Sequence, residues 1–186
     1  MPKEVIIEPD EWKIIKENVP KRWSQHKTGS SWAEGLNKDG TFYGLCGECA
    51  VGKIIGDRPD LDYKEKGVPE DFIYKGYNIE VKTSYGNYGS GLLKRKEKSG
   101  FVHELKSNIY VFCTIEKGNY VMENKPIPVT IQGIISRKRI LDEFSELHPS
   151  KSKKSDHFNF EIPYEQLHPV EELLTLKKKK KEAALS

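Results

Sequence analysis

Asp71-Phe72-Ile73-Tyr74-Lys75-Gly76-Tyr77-Asn78-Ile79-Glu80-Val81-Lys82 is the stretch on which the fold turns. β-branched and aromatic residues dominate it. Lys75-Gly76 offers a two-residue turn, with a glycine for one of the positive φ values such turns need. A hairpin folded there pairs Tyr74 with Tyr77, Ile73 with Asn78, Phe72 with Ile79 and Asp71 with Glu80. Side chains alternate between the faces of a strand. Phe72, Tyr74, Tyr77, Ile79 and Val81 therefore share a core face, and Asp71, Glu80 and Lys82 share the other. Carboxylates opposed at about 5 Å repel each other, and a purely structural sheet avoids them. A hard divalent cation between them reverses the sign, and oxygen ligands point to Mg²⁺. Lys82 is placed on the same face to orient or deprotonate a water, or to neutralise charge on a phosphate.

Acid-x-Lys triplets recur in the chain, as in Glu11-Trp12-Lys13 and Glu104-Leu105-Lys106. Only Glu80-Val81-Lys82 joins clear strand alternation to an Asp in hairpin register. Upstream, the apolar spacing from Phe42 to Ile55 predicts a helix ended by Gly56. Glu48 lies within it, flanked by Leu45, Cys49 and Ala50, and a carboxylate on a core-facing stripe is costly unless paired or metal-bound. The literal Pro59-Asp60, with Asp62 after it, is a rival to Asp71. Asp71 is preferred because the hairpin register sets it opposite Glu80, whereas Asp60 falls in a Gly/Pro loop over 57–70.

Gly47-Glu48, Asp71 and Glu80-Val81-Lys82-Thr83 resemble, in order and context, the pattern of the PD-(D/E)XK nuclease superfamily, the restriction-endonuclease-like fold. That pattern is a Glu on the first core helix, an Asp on a strand, and (Glu/Asp)-x-Lys on the next strand. The resemblance spans about residues 42–135. It implies an α/β fold with a restriction-endonuclease-like core, a central mixed β-sheet flanked by helices. It also implies that Glu48, Asp71, Glu80 and the Val81 backbone carbonyl bind Mg²⁺, with Mn²⁺ as substitute. Lys82 would then assist phosphodiester hydrolysis, as base or charge stabiliser, in a DNA endonuclease. Such families often work as homodimers, although no interface is legible in the residues.

The remaining chain fits one α/β domain over 1–176 with a basic tail at 177–186. A first helix begins at Pro9-Asp10-Glu11 and is expected to stop at Pro20. Further strands are expected at Ile109–Ile115 and Ile127–Ile135, and helical spacing resumes over 136–147. An apolar patch from Ile162 to Leu176 is suited to covering a sheet edge. The four-glycine stretch between Thr83 and Ile109 reads as too flexible for a core element.

The 186 residues carry a net charge of +3, with 36% hydrophobic and 32% charged residues. Residues 84–108 hold five Lys/Arg against two Glu, and 177–186 hold five Lys against one Glu. Tyr85 and Tyr88 are candidates to stack on bases, and Lys94, Arg95, Lys96 and Lys98 to hold phosphates. No 18-residue apolar run is present, so no membrane helix is expected. The N-terminal residues do not read as a secretory signal. With three cysteines, too few for a disulfide framework, the expected setting is cytoplasmic. Cys46-Gly47-Glu48-Cys49 has redox spacing without a redox context, so Cys46, Cys49 and Cys113 read as small buried hydrophobes. Two rivals to the nuclease reading remain: a non-catalytic nucleic-acid-binding protein of the same fold, and a CxxC redox protein.

Overall fold

Two positive φ values at the hairpin turn, Lys75 at 51° and Gly76 at 85°, reverse the chain as a type I′ turn does. The flanking strands pair in the expected register, Tyr74 with Tyr77, Ile73 with Asn78 and Phe72 with Ile79. Phe72, Ile79 and Val81 are buried, while Ile73 on the opposite face is exposed. The computed structural model describes residues 1–26, 38–59, 71–86, 89–97, 99–144, 146–149 and 157–178. Asp60, Asp62, Tyr88, Lys98 and the tail beyond residue 178 lie outside the described residues.

The chain order is β1 (Lys3–Ile7), α1 (Pro9–His26), α2 (Lys38–Ile55), β2 (Phe72–Tyr74), β3 (Tyr77–Tyr85), β4 (Ser90–Glu97), β5 (Ile109–Ile115), β6 (Ile127–Ser136), α3 (Arg137–Glu143), β7 (His148–Pro149), β8 (His157–Pro163) and α4 (Glu172–Thr175). Among the described residues, five strands form a central sheet in the order β1-β6-β5-β3-β2. β3 and β5 run parallel and the other neighbours antiparallel, so the sheet is mixed.

α1 and α2 cover one face. Trp12, Ile15 and Val19 of α1 and Leu45, Cys46 and Val51 of α2 pack with Ile79, Val111 and Ile131 of the sheet. The other face is covered by a second sheet, β4-β8-β7, and not by helices alone. There Leu93, Phe160 and Ile162 pack with Tyr110, Phe112 and Ile135, and α3 adds Ile140. Gly91 makes the close approach possible, since a Cβ on it would lie 2.2 Å from the Phe112 ring. β5 is buried along its whole length, as a strand covered on both faces must be.

Three expectations are corrected. α1 continues past Pro20 to His26; proline removes one helical hydrogen bond, and Pro20 lies on the exposed side of the helix, where the freed carbonyl can meet water and the helix runs on. The glycine-rich stretch after Thr83 is not merely flexible, because Ser90–Glu97 is a strand paired with β8, with Leu93 in the core. Lys3–Ile7 is an additional strand, paired with β6. The patch after Ile162 does cover a sheet edge: Ile134 and His168 exchange backbone bonds of 2.8 and 2.9 Å beyond the point where β1 begins, at Lys3 opposite Ile131. No helix among the described residues is long and apolar enough to cross a membrane.

Replacing Gly76 tests the turn. Gly76→Ala should cost about 1–2 kcal/mol, because an L side chain is disfavoured at that φ. Urea unfolding measures it, and an unchanged midpoint would show that the turn does not hold the hairpin.

Candidate functional site

The expected register stops one residue short of the acids. Asp71 is not a ladder rung opposite Glu80. Its backbone N–H donates to Ile79 O at 2.8 Å, and Ile79 is already the partner of Phe72. Its side chain instead takes over the ladder, with Asp71 Oδ2 accepting from Val81 N at 2.6 Å. Among the described residues no strand pairs with β3 on that side beyond this point. In an extended strand the N–H and C=O of one residue point the same way. The Val81 carbonyl therefore faces the same open edge as Asp71.

Glu80 and Lys82 align with Tyr110 and Phe112 of the neighbouring β5 and share their face. Glu80 is held from two sides. Lys82 Nζ donates to its Oε1 at 2.5 Å, and the buried Ser107 hydroxyl donates to its Oε2 at 3.5 Å. The side chains of Glu80 and Lys82 are 17% and 44% exposed, so the pair sits at the border between the inter-sheet core and solvent.

Glu48 arrives from the other face on α2. Gly47 lets that helix press onto β3, since a Cβ there would lie 1.9 Å from Thr83 Oγ1. That hydroxyl is buried and has no hydrogen-bond partner among the described residues.

The electrostatics join these pieces. Burial pushes the Lys82 ammonium down, but Glu80, then Asp71 and Glu48, push it up, and the net shift is upward. Lys82 is thus a cation here, suited to neutralising charge rather than accepting a proton. Tyr110 is pushed up to about 12, by burial first and then by the Glu80 charge. The three acids expected at the site, from α2, the foot of β2 and β3, all act electrostatically on Lys82. No group of three or more His, Cys, Asp or Glu is already arranged to hold a metal ion among the described residues.

The other expected residues have separate surroundings. Tyr85 ends β3, where its ring stacks on Tyr43 at 4.1 Å and 9°. Lys94, Arg95 and Lys96 lie on β4. Arg95 is the extra residue of a bulge, and its guanidinium packs on Phe160 at 6.0 Å while donating to His103 O. Its guanidinium is therefore oriented by the fold while keeping its full charge. Ser107 and Tyr110 were not anticipated. The only sequence signal for Ser107 is its place just ahead of the apolar run that becomes β5.

The thiols do not suit redox chemistry. Burial, then the Glu48 charge, pushes Cys49 up to about 12, and burial raises Cys46 and Cys113 further. No family model, no curated protein and no solved structure matches the chain.

Two measurements check this geometry. Gly47→Ala should destabilise the fold by about 1–3 kcal/mol through overpacking on Thr83. Gly44→Ala, where a Cβ meets nothing, should stabilise by about 0.5–1 kcal/mol through helix propensity. Thr83→Ala should recover part of the Gly47→Ala loss in a double-mutant cycle. Equal effects of the two glycine variants would remove the close approach as a constraint. Separately, a thiol at about 12 is ionised to about one part in 10⁴ at pH 8, so native protein should react with a thiol-specific disulfide reagent far more slowly than urea-unfolded protein. Fast reaction in the native state would revive the redox reading.

Proposed function

We propose that the chain is a divalent-metal-dependent phosphodiesterase with a restriction-endonuclease-like core, and that it acts on DNA as an endonuclease. The observation that carries this reading is the Glu80–Lys82 ion pair on β3 set beside Asp71, whose carboxylate is bonded to Val81 N at the edge of the same strand, with the charges of Asp71 and Glu48 also acting on Lys82.

The donor set suits Mg²⁺ or Mn²⁺. Carboxylates and a backbone carbonyl are hard oxygen ligands, and Mg²⁺ commonly takes only one or two carboxylates, with water and substrate phosphate filling the rest. Asp71, Glu80 and the Val81 carbonyl, with Glu48 behind them, would hold the ion. When bound, it would polarise the phosphate and lower the pKa of a bound water. The chain's own groups do the remainder. Lys82 supplies positive charge where negative charge accumulates on the phosphate. The Val81 N–H fixes the rotamer of Asp71, and Ser107 holds Glu80. Lys94 and Lys96 on β4, with Tyr85, are proposed to contact the nucleic acid; a homodimer would supply two cutting centres for two strands.

The alternative is a non-catalytic nucleic-acid-binding protein of the same architecture. One observation favours it: the acids are not already gathered around a common point. Plasmid nicking with Mg²⁺ or Mn²⁺, set beside calorimetric metal titration, separates the two. Wild-type protein should nick, and a chelator should stop it. Glu80→Ala should lose cleavage and weaken metal binding. Lys82→Ala should lower the rate by roughly 10²-fold or more and spare metal binding. A wild-type rate for Lys82→Ala would overturn the catalytic assignment.

A further inference from the structure

A cavity of about 700 Å³ opens beside the proposed site, within the range of small-molecule sites. α1 and α2 wall it with Lys16, Val19 and Tyr43, β3 with Tyr85, and the turn after β5 with Gly118 and Asn119. Its described lining holds no acidic side chain, in contrast to the carboxylate cluster next to it.

Its central feature is the Tyr43–Tyr85 stack. The two rings are nearly parallel, and both are held from outside. The Tyr85 hydroxyl donates to Gly118 O at 3.1 Å and accepts from Gly118 N at 3.0 Å. Phe42 braces Tyr43 edge-on at 5.2 Å. Rings fixed in this way lose little freedom when a flat ligand joins them, so more of the stacking energy appears as affinity. The exposed ammonium of Lys16 at the rim suits a phosphate, and the Asn119 side chain offers both a donor and an acceptor to a base edge. Aromatic platform, mixed amide and rim cation together match a nucleotide.

Position selects among nucleotides. Tyr85 is three residues past Lys82 on an extended strand, about 10 Å away. Tyr43 is five residues before Glu48 on the helix, about 7.5 Å away. This separation places the cavity within a few nucleotides of Lys82 along a strand. The open edge of β3 beyond Val81 gives a strand a path from the Lys82 face to the Tyr85 face. A base inside a duplex is stacked and paired and cannot enter a cavity.

We infer that this cavity is a subsite for an unpaired nucleobase of the strand being cut, so that the substrate is DNA with single-stranded character near the scissile bond. The inference rests on the phosphodiesterase reading for what happens at Lys82, but binding in the cavity does not require cleavage.

The test uses DNA carrying 2-aminopurine, whose fluorescence is quenched by stacking, titrated with the full chain in EDTA so that no cutting intervenes. Wild-type protein should quench an unpaired 2-aminopurine and bind it more tightly than the same base in a duplex. Tyr43→Leu should weaken binding of the unpaired probe about 5- to 100-fold, whereas Tyr43→Phe, which keeps the ring, should bind as wild type does. Thermal melting checks that both variants fold, and the comparison of paired with unpaired probes on wild-type protein keeps the test decisive if Tyr43→Leu does not. Equal affinity for paired and unpaired probes, or wild-type binding by a folded Tyr43→Leu, overturns the subsite. A parallel nicking assay in Mg²⁺ separates the two claims. Quenching without cleavage supports the subsite and removes the nuclease reading. Cleavage at equal rates on paired and unpaired DNA, unaffected by Tyr43→Leu, removes the subsite and leaves the nuclease.

Discussion

A carboxylate standing in for a strand is the constraint from which the site follows. A backbone N–H that loses its ladder partner must find another acceptor. At Val81 that acceptor is the side chain of Asp71, which lets β2 stop at Phe72 while β3 runs on to Tyr85. The substitution fixes Asp71 at the edge of the sheet rather than on its face. It also leaves the far half of β3 without a strand neighbour on that side among the described residues. Only at such an edge can groups from both faces of one sheet meet, and Glu48 and Lys82 come from opposite faces.

The layers on either side set how closely they meet. On the helical face the missing side chain of Gly47 brings α2 against Thr83 and carries Glu48 inward with it. On the other face the second sheet closes on Phe112 through Gly91 and buries Tyr110 and Ser107 beside Glu80. Burying a carboxylate costs free energy unless hydrogen bonds and charge compensate it. Lys82 and Ser107 provide that compensation, and the edge keeps the lysine partly in water. The two glycines thus do related work on opposite faces, each removing a side chain where two layers must touch.

The hairpin was legible because turn chemistry and alternation both speak locally: Lys75-Gly76 admits one tight turn, and Phe72, Ile79 and Val81 then fall on one face. Glu48 was legible as a lone acid in an apolar helix. The second sheet was not, for a physical reason. β4 carries Gly91 and the Lys94-Arg95-Lys96 run, which read locally as a solvated loop, and its partner β8 lies some 65 residues further on. Strand pairing at that separation leaves no local trace. β1 was hidden by its shortness and by Pro9 two residues after it. At the site, the swap of Asp71 from ladder rung to side-chain acceptor was also illegible, since alternation counts residues and says nothing of where a strand gives way to a side chain.

Charge is where the site and any polyanionic ligand must be reconciled. With its lysine partly in water, the Glu80–Lys82 pair offsets the burial of Glu80 but adds little net stability, so stability alone is a poor reason for placing it beside two further carboxylates. Three acids against one ammonium leave the cluster acidic, and an acidic cluster repels phosphate. A phosphodiester can approach only if positive charge is added, and Lys82 cannot add it while it is paired to Glu80. Arg95 keeps its charge, but its guanidinium is oriented by Phe160 and the His103 carbonyl on β4. Under the proposed phosphodiesterase reading, a cation held by Asp71 and Glu80 would supply that charge, and Lys82, no longer needed to balance Glu80, would be free to face the incoming phosphate.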